Sequence, residues 1–213
     1  MELRHSLRTR MTGLLAAGIV TTAAATAVMS GAAANVPLAV SSGRVSIAGT
    51  SNIHEYTAST TAVRVTRVQL ASTVTGPNFW DEVVKPGAVE AFDVAIAAAS
   101  LSSPKEGLDK NMHKALKTDA HPDITFRLRR LEPRAGVAGG LRGVGVLQIA
   151  GVEREVAIDL TTGRKDAGLN VHGELQIVMT DFNITPPKAM LGMLKTDPKV
   201  TITFDTLLTV PLT

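Results

Sequence analysis

From Gly43 onward the chain keeps returning to a spacing of two. Arg44-Val45-Ser46-Ile47-Ala48 alternates polar and apolar residues, as a half-buried strand does. Ile53-His54-Glu55-Tyr56-Thr57 resumes after a polar break, and Val63, Val65 and Val68 follow among threonines and arginines. Ile124, Phe126 and Leu128 alternate again, then Gly145, Leu147 and Ile149, then Val156, Ile158 and Leu160. Leu175-Gln176-Ile177-Val178 and the run through Val200, Ile202 and Phe204 complete the series. Such β-branched runs disfavour helix. The pattern predicts about eight antiparallel strands with no βαβ rhythm. A sheet of that length must deal with its edges, and closure into a barrel does so directly. Its interior would hold either packed side chains or one elongated apolar ligand. A sandwich is the alternative architecture.

Helical signals are few. Ser103-Pro104-Lys105-Glu106 reads as a helix start, with Ser103 as cap, Pro104 in the first turn and Glu106 completing a capping box. Leu108, Met112 and Leu116 then share one face. Leu116-Lys117-Thr118-Asp119 and Ile124-Thr125-Phe126 recur 78 residues later as Leu194-Lys195-Thr196-Asp197 and Ile202-Thr203-Phe204, and Met112 recurs as Met190. This predicts two equivalent units, with a second short helix starting at Thr185-Pro186. Residues 89–101 are alanine-rich, but Phe92, Val94 and Ile96 share a parity, so a strand is expected there. Phe79 and Trp80 lie between two turns and read as a loop pinned to the core, with a lid over a cavity as the alternative.

The N-terminus has the form of an export signal. Arg4, Arg8 and Arg10 precede an uncharged, alanine-rich run over residues 14–29, and Ala32 and Ala34 offer a cleavage pattern before Asn35. The expected organisation is a secretory signal peptide over residues 1–34 and a single β-domain over 35–213, periplasmic or secreted, with no permanent membrane span after cleavage. Without Arg4, Arg8, Arg10 and Glu2, the chain's 22 basic and 19 acidic residues become 19 and 18. That balance gives no nucleic-acid footprint, and Arg127, Arg129, Arg130 and Arg134 read as a solvated strand end.

Signals for chemistry are weak. With no cysteine, thiolate catalysis and cysteine-held iron–sulfur centres are excluded. His54, His113, His121 and His172 lack zinc-ligand spacing. Asp119 and Asp197 suit turns better than paired-carboxylate hydrolysis. The glycines between Gly136 and Gly143 do not follow phosphate-loop spacing. No enzyme activity, metal or cofactor is expected.

Four segments in order carry a family resemblance: Gly49-Thr50-Ser51-Asn52-Ile53-His54-Glu55-Tyr56; the run from Leu108 through Asp119 to Phe126; Leu147-Gln148-Ile149-Ala150-Gly151-Val152-Glu153-Arg154-Glu155-Val156; and Asp181-Phe182-Asn183-Ile184 with Met193-Leu194-Lys195-Thr196-Asp197. Together they resemble the YceI-like family of periplasmic polyisoprenoid-binding proteins over roughly residues 40–210. Where that family often has Trp after the histidine, this chain has Tyr56. The resemblance implies an exported all-β protein, an extended antiparallel eight-stranded lipocalin-like barrel with two short helices. It also implies a long apolar tunnel for a polyisoprenoid or isoprenoid-tailed lipid, and a capacity for homodimers.

A tunnel of that kind needs apolar walls and few polar anchors. The expected wall residues are Phe92, Val94, Ile96, Met112, Phe126, Val146, Ile158, Met179, Phe182 and Met190, with His54 and Tyr56 as polar contacts at a mouth. The expected function is non-enzymatic binding or carriage of the lipid in the cell envelope. The alternative is a structural or protein-interaction barrel filled by its own side chains.

Overall fold

The structure, a computed structural model, describes residues 38–74, 76–189 and 194–211. The expected signal peptide and Met190 lie outside those residues. Ten strands are described: β1 (Ala39–Ser51), β2 (Glu55–Thr60), β3 (Val63–Leu70), β4 (Val89–Ala97), β5 (Asp123–Pro133), β6 (Gly140–Ile149), β7 (Val152–Lys165), β8 (Gly168–Val178), β9 (Lys188–Ala189) and β10 (Leu194–Thr209). Two α-helices are described with them, α1 (Phe79–Val83) and α2 (Glu106–Leu116), together with single 3-10 turns at Ala98–Ser100 and Met179–Phe182.

Nine strands form one antiparallel ladder in the order β2-β1-β10-β8-β7-β6-β5-β4-β3, and β9 adds a short pairing to β10. This is an all-β fold with two short helices, as the alternation implies, but it is not a closed eight-stranded barrel. The sheet curls, and its two edge strands, β2 and β3, are consecutive in the chain. Only Thr61 and Ala62 separate them. β2 pairs with β1 and, beyond that bend, β3 pairs with β4. A turn from another part of the chain holds the corner. Ser100 Oγ donates to the Ala97 carbonyl (2.6 Å), so the buried Thr60 Oγ1 must donate to Ser100 Oγ (2.7 Å) while accepting from Ala62 N–H (3.0 Å). Ser59 and Ser102 exchange backbone bonds beside it.

Several local expectations change. Among the described residues no helix starts at Thr185-Pro186. Residues 185–187 are irregular, Lys188 and Ala189 pair with Lys195 and Leu194, and β10 begins at Leu194. Pro186 is followed by Pro187, and a residue before proline is driven from helical to extended geometry. Ser103-Pro104-Lys105 carries no such block. The other helix is α1, in the stretch read as a pinned loop, and it is pinned: Trp80 is buried and its Nε1 donates to the Ala167 carbonyl at 3.0 Å. α2 starts at Glu106 without a side-chain cap. Ser103 Oγ instead closes a turn on Lys105 N–H (3.1 Å), and Asp109 reaches back to accept from Ser103 N–H (2.8 Å). The strand over residues 89–97 is as expected.

Two buried clusters sit at opposite ends of the sheet. One gathers Leu38, Trp80, Val83, Leu169 and Leu208; the other gathers Ile149, Ile177, Phe182, Ile184 and Val200. Leu169 and Ile177 are eight residues apart on β8, as are Val200 and Leu208 on β10, so about 27 Å of strand separates the clusters.

Between them, aromatic rings lie against the sheet wherever a glycine leaves room. Phe204 faces Gly173 across the ladder and Tyr56 faces Gly49, while Phe126 reaches diagonally over Gly145. A Cβ at any of these glycines would collide with the ring. At Gly173 the obstructing atoms belong to the Phe204 and Leu160 side chains, whereas Gly145 also meets the Arg127 carbonyl. Gly173→Ala is therefore expected to cost about 1–3 kcal/mol by pushing Phe204 off the sheet. Gly145→Ala should cost more, because a backbone carbonyl cannot swing aside. Denaturant midpoints of the two variants give the comparison.

Candidate functional site

The period-two pattern points one face of every long strand into a shared interior. Val45 and Ile47 of β1, Phe92, Val94 and Ile96 of β4, Leu147 and Ile149 of β6, Ile158 and Leu160 of β7, Leu175 and Ile177 of β8, and Ile202 and Phe204 of β10 line it. On β5 the alternation breaks, and a bulge repairs it. The register shifts between Leu128 and Arg130, so Ile124, Phe126, Leu128 and Leu131 all reach the same interior. Two arginines of this strand form ion pairs on the outside: Arg127 with Glu153 (2.7 Å) and Arg130 with Glu132 (2.6 Å). Arg134 and Arg142 both contact Asp159. The hydrogen bond from Arg142 first, and then the charges of Arg134 and Arg142, hold the Asp159 carboxyl below its usual range against the opposing effect of desolvation.

The enclosed space is a cavity of about 560 Å³, within the range of small-molecule sites. Its two ends differ. At one end the lining residues Leu38, Trp80, Val83, Leu141, Leu169 and Leu208 are themselves buried, and α1 lies across the strands. Trp80 secures that cover through Ala167, with Phe79 packed edge-on and the Arg164 guanidinium 5.9 Å from its ring centre. At the other end the lining includes Ser51, His54, Tyr56, Lys105, Gly107, Asn111 and Thr196. His54, Lys105, Gly107 and Asn111 are exposed, so this is the mouth. α2 flanks it, turning Leu108, Met112, Ala115 and Leu116 to the interior.

The hairpin at the mouth explains the Ser51-Asn52-Ile53-His54 sequence. Ser51 Oγ donates to the His54 carbonyl (2.8 Å) and accepts from the amides of Ile53 (3.3 Å) and His54 (3.1 Å). Asn52 then ties the tip to β10, its amide donating to the Lys195 carbonyl (3.1 Å) and its Oδ1 accepting from Lys195 N–H (2.8 Å).

Among the residues singled out from sequence, His54, Tyr56, Phe92, Val94, Ile96, Met112, Phe126, Ile158 and Met179 line the cavity. Val146 does not. It has the opposite parity to Leu147 and lies across from Arg127, on the outer face. Phe182 does not either; it is buried in the cluster behind the wall, where the turn at Met179–Phe182 places it. Of the two readings of the Phe79–Trp80 stretch, a pinned loop and a lid over a cavity, the structure combines both: Trp80 is anchored and covers the closed end. Sequence reasoning missed Lys105 and Asn111 at the mouth. The remaining histidines have other settings. His113 Nε2 bonds the Leu101 carbonyl (2.8 Å), His121 lies over Gly151, and His172 is 3.7 Å from Asp205. Among the described residues no group of three or more histidines and acids is placed to hold a metal, and no helix is long and apolar enough to cross a membrane.

Tyr56 is the polar group with the least support. Its hydroxyl is buried without a hydrogen-bond partner, at the point where the ring crosses Gly49. Burial first, and the Asp197 charge second, raise its pKa above the usual 10.0. Tyr56→Phe should therefore leave stability unchanged or raise it by up to about 1 kcal/mol, since no hydrogen bond is lost. A raised folded-state pKa means that the unfolded chain ionises first. Tyr56 then favours folding fully below about pH 10, and that contribution declines as pH rises further. Tyr56 is the sole tyrosine, so phenolate absorbance of native and unfolded protein reads both pKa values directly.

Residues 39–208 match the family model of the YceI-like domain. No curated protein matches the sequence. Among solved structures, the fold is similar to Burkholderia cenocepacia BcnA, with a TM-score of 0.61 and 17% identity over 79% of this chain and 96% of that one. It is also similar to a polyisoprenoid binding domain from Saccharophagus degradans implicated in plant cell wall breakdown, with a TM-score of 0.57 and 13% identity over 83% and 99% of the two chains. A Campylobacter jejuni YCEI protein gives 0.52 and 14% over 71% and 82%. At these identities the structural likenesses speak for the fold, while the domain match spans most of the chain. The segments that hold the mouth, the helix beside it and the central hairpin all fall inside that match: this chain belongs to the YceI-like domain family.

Proposed function

We propose that the protein binds or carries an isoprenoid or similar long apolar lipid in the cell envelope, without catalysing a reaction on it. The observation that carries this reading is the interior: an apolar space with one buried end and one polar, exposed mouth. An amphiphile fits such a space in one direction, tail towards Trp80 and head beside His54, Lys105 and Asn111. The relative from Saccharophagus degradans described as a polyisoprenoid binding domain shares the fold and supports the ligand class. Residues 1–34 supply the export signal in this reading. A barrel packed solid by its own side chains is the competing account, and a cavity of about 560 Å³ weighs against it.

Trp80 is the only tryptophan and lines the closed end, so it reports how deep a tail goes. Long brominated polyprenyl lipids should quench its fluorescence on binding, and short ones should bind without quenching. Native mass spectrometry of protein taken from its own cell envelope should show an added apolar mass; bare protein in repeated mild preparations would overturn the proposal. Met112→Trp should lower that occupancy with little change in melting temperature, because the new ring enters open space. A large loss of stability with full occupancy would assign Met112 to packing instead.

A further inference from the structure

α2 has a second face. Lys110, Lys114 and Lys117, spaced by four and then three residues, are exposed opposite the stripe of Leu108, Met112 and Ala115 that faces the cavity. With His113, Thr118 and Asp119 they surround a shallow depression on the outer side of the helix. Three acids share this segment, and Glu106 stands four residues before Lys110 in the helix. Asp109 is half-buried and engaged with Ser103 N–H, and Asp119 is the one carboxylate in the depression. Among the described residues none of the three lysines has a carboxylate within ion-pair distance. Part of the lysine charge faces the carbonyl end of the helix, which it stabilises. That role needs Lys114 or Lys117, not a row extending back to Lys110.

A second feature flanks the same mouth. Ile53, at the tip of the β1–β2 hairpin between the lining residues Ser51 and His54, is 58% exposed. The hairpin is held by Ser51 and tied to β10 by Asn52, so this apolar side chain is displayed by an anchored turn. A row of lysines and a projecting isoleucine on two elements beside one opening match the chemistry of a bilayer surface: anionic head groups for the lysines, the acyl boundary for the isoleucine. A soluble polyanion would use the lysines and leave Ile53 without a partner. We infer that the protein docks on anionic membranes through the solvent face of α2 and the tip at Ile53, bringing the cavity mouth against the lipid surface.

Protein purified from the envelope in its processed form is sedimented with vesicles of phosphatidylcholine alone and of phosphatidylcholine mixed with phosphatidylglycerol. Binding should require the anionic lipid and weaken as salt rises. Each Lys→Gln change at 110, 114 and 117 should lower partitioning about fivefold, and the three together roughly a hundredfold. Ile53→Asp should also lower it while leaving the melting temperature unchanged. Equal binding to both vesicle types, wild-type partitioning by the triple variant, or binding to heparin with none to vesicles would each overturn the inference. Docking is read by sedimentation and cavity occupancy by native mass spectrometry. An empty cavity would therefore sink the cargo reading and leave docking to be decided on its own result, and the lysine variants should keep full occupancy.

Discussion

The enclosed interior depends on one bend. Between Thr60 and Val63 the chain leaves its pairing with β1 and takes up pairing with β4, so both edges of a nine-stranded ladder belong to neighbouring stretches of the same chain. That geometry leaves the sheet little freedom except to curl, because its first and last strands cannot separate by more than the two residues that join them. Thr60 and Ser100 make the bend specific. Their hydroxyls satisfy each other, the Ala97 carbonyl and the Ala62 amide in a buried corner, where an unsatisfied group would be costly.

Curling alone would not keep the interior open. Strand faces rich in Val, Ile and Leu collapse on one another unless something holds the opposing walls apart or lines them with thin layers. Here the rings of Phe126, Phe204 and Tyr56 lie along the sheet over glycines, giving the wall apolar area without thickness. α1 covers one end and the solvent-facing hairpin and α2 frame the other. The same residues thus set packing and access. Trp80 closes an end because its indole N–H reaches a backbone carbonyl in the β7–β8 turn.

Function in such a protein resides in the shape and polarity of a space. The mouth brings together side chains from β1, β2, α2 and β10, and its polar groups are few. Tyr56 shows the compromise most clearly: the ring contributes wall area, and its hydroxyl is carried into a place with no partner. The helix at the mouth serves two environments at once, apolar towards the cavity and basic towards solvent. The proposed lipid carriage and membrane docking would therefore meet on one short element.

Local pattern was enough to reveal the strands, their inward parity on β4, β5 and β7, the starting region of α2, and the four ordered segments of the family. Period-two alternation and turn chemistry act over a few residues, so they are written locally. Local pattern misled where a neighbour or a distant partner intervened. Pro187 cancelled the helix that Thr185-Pro186 would otherwise start, and the similarity of two Lys-Thr-Asp turns hid a helix end in one copy and a strand in the other. Val146 has the composition of a wall residue, but its parity, opposite to that of Leu147, turns it outward beside Arg127. The open ladder, the corner at Thr60, the closure by Trp80 and the placing of Lys105 and Asn111 at the mouth were decided by tertiary structure. Each depends on groups brought together from distant parts of the chain, and no single stretch of sequence carries that information.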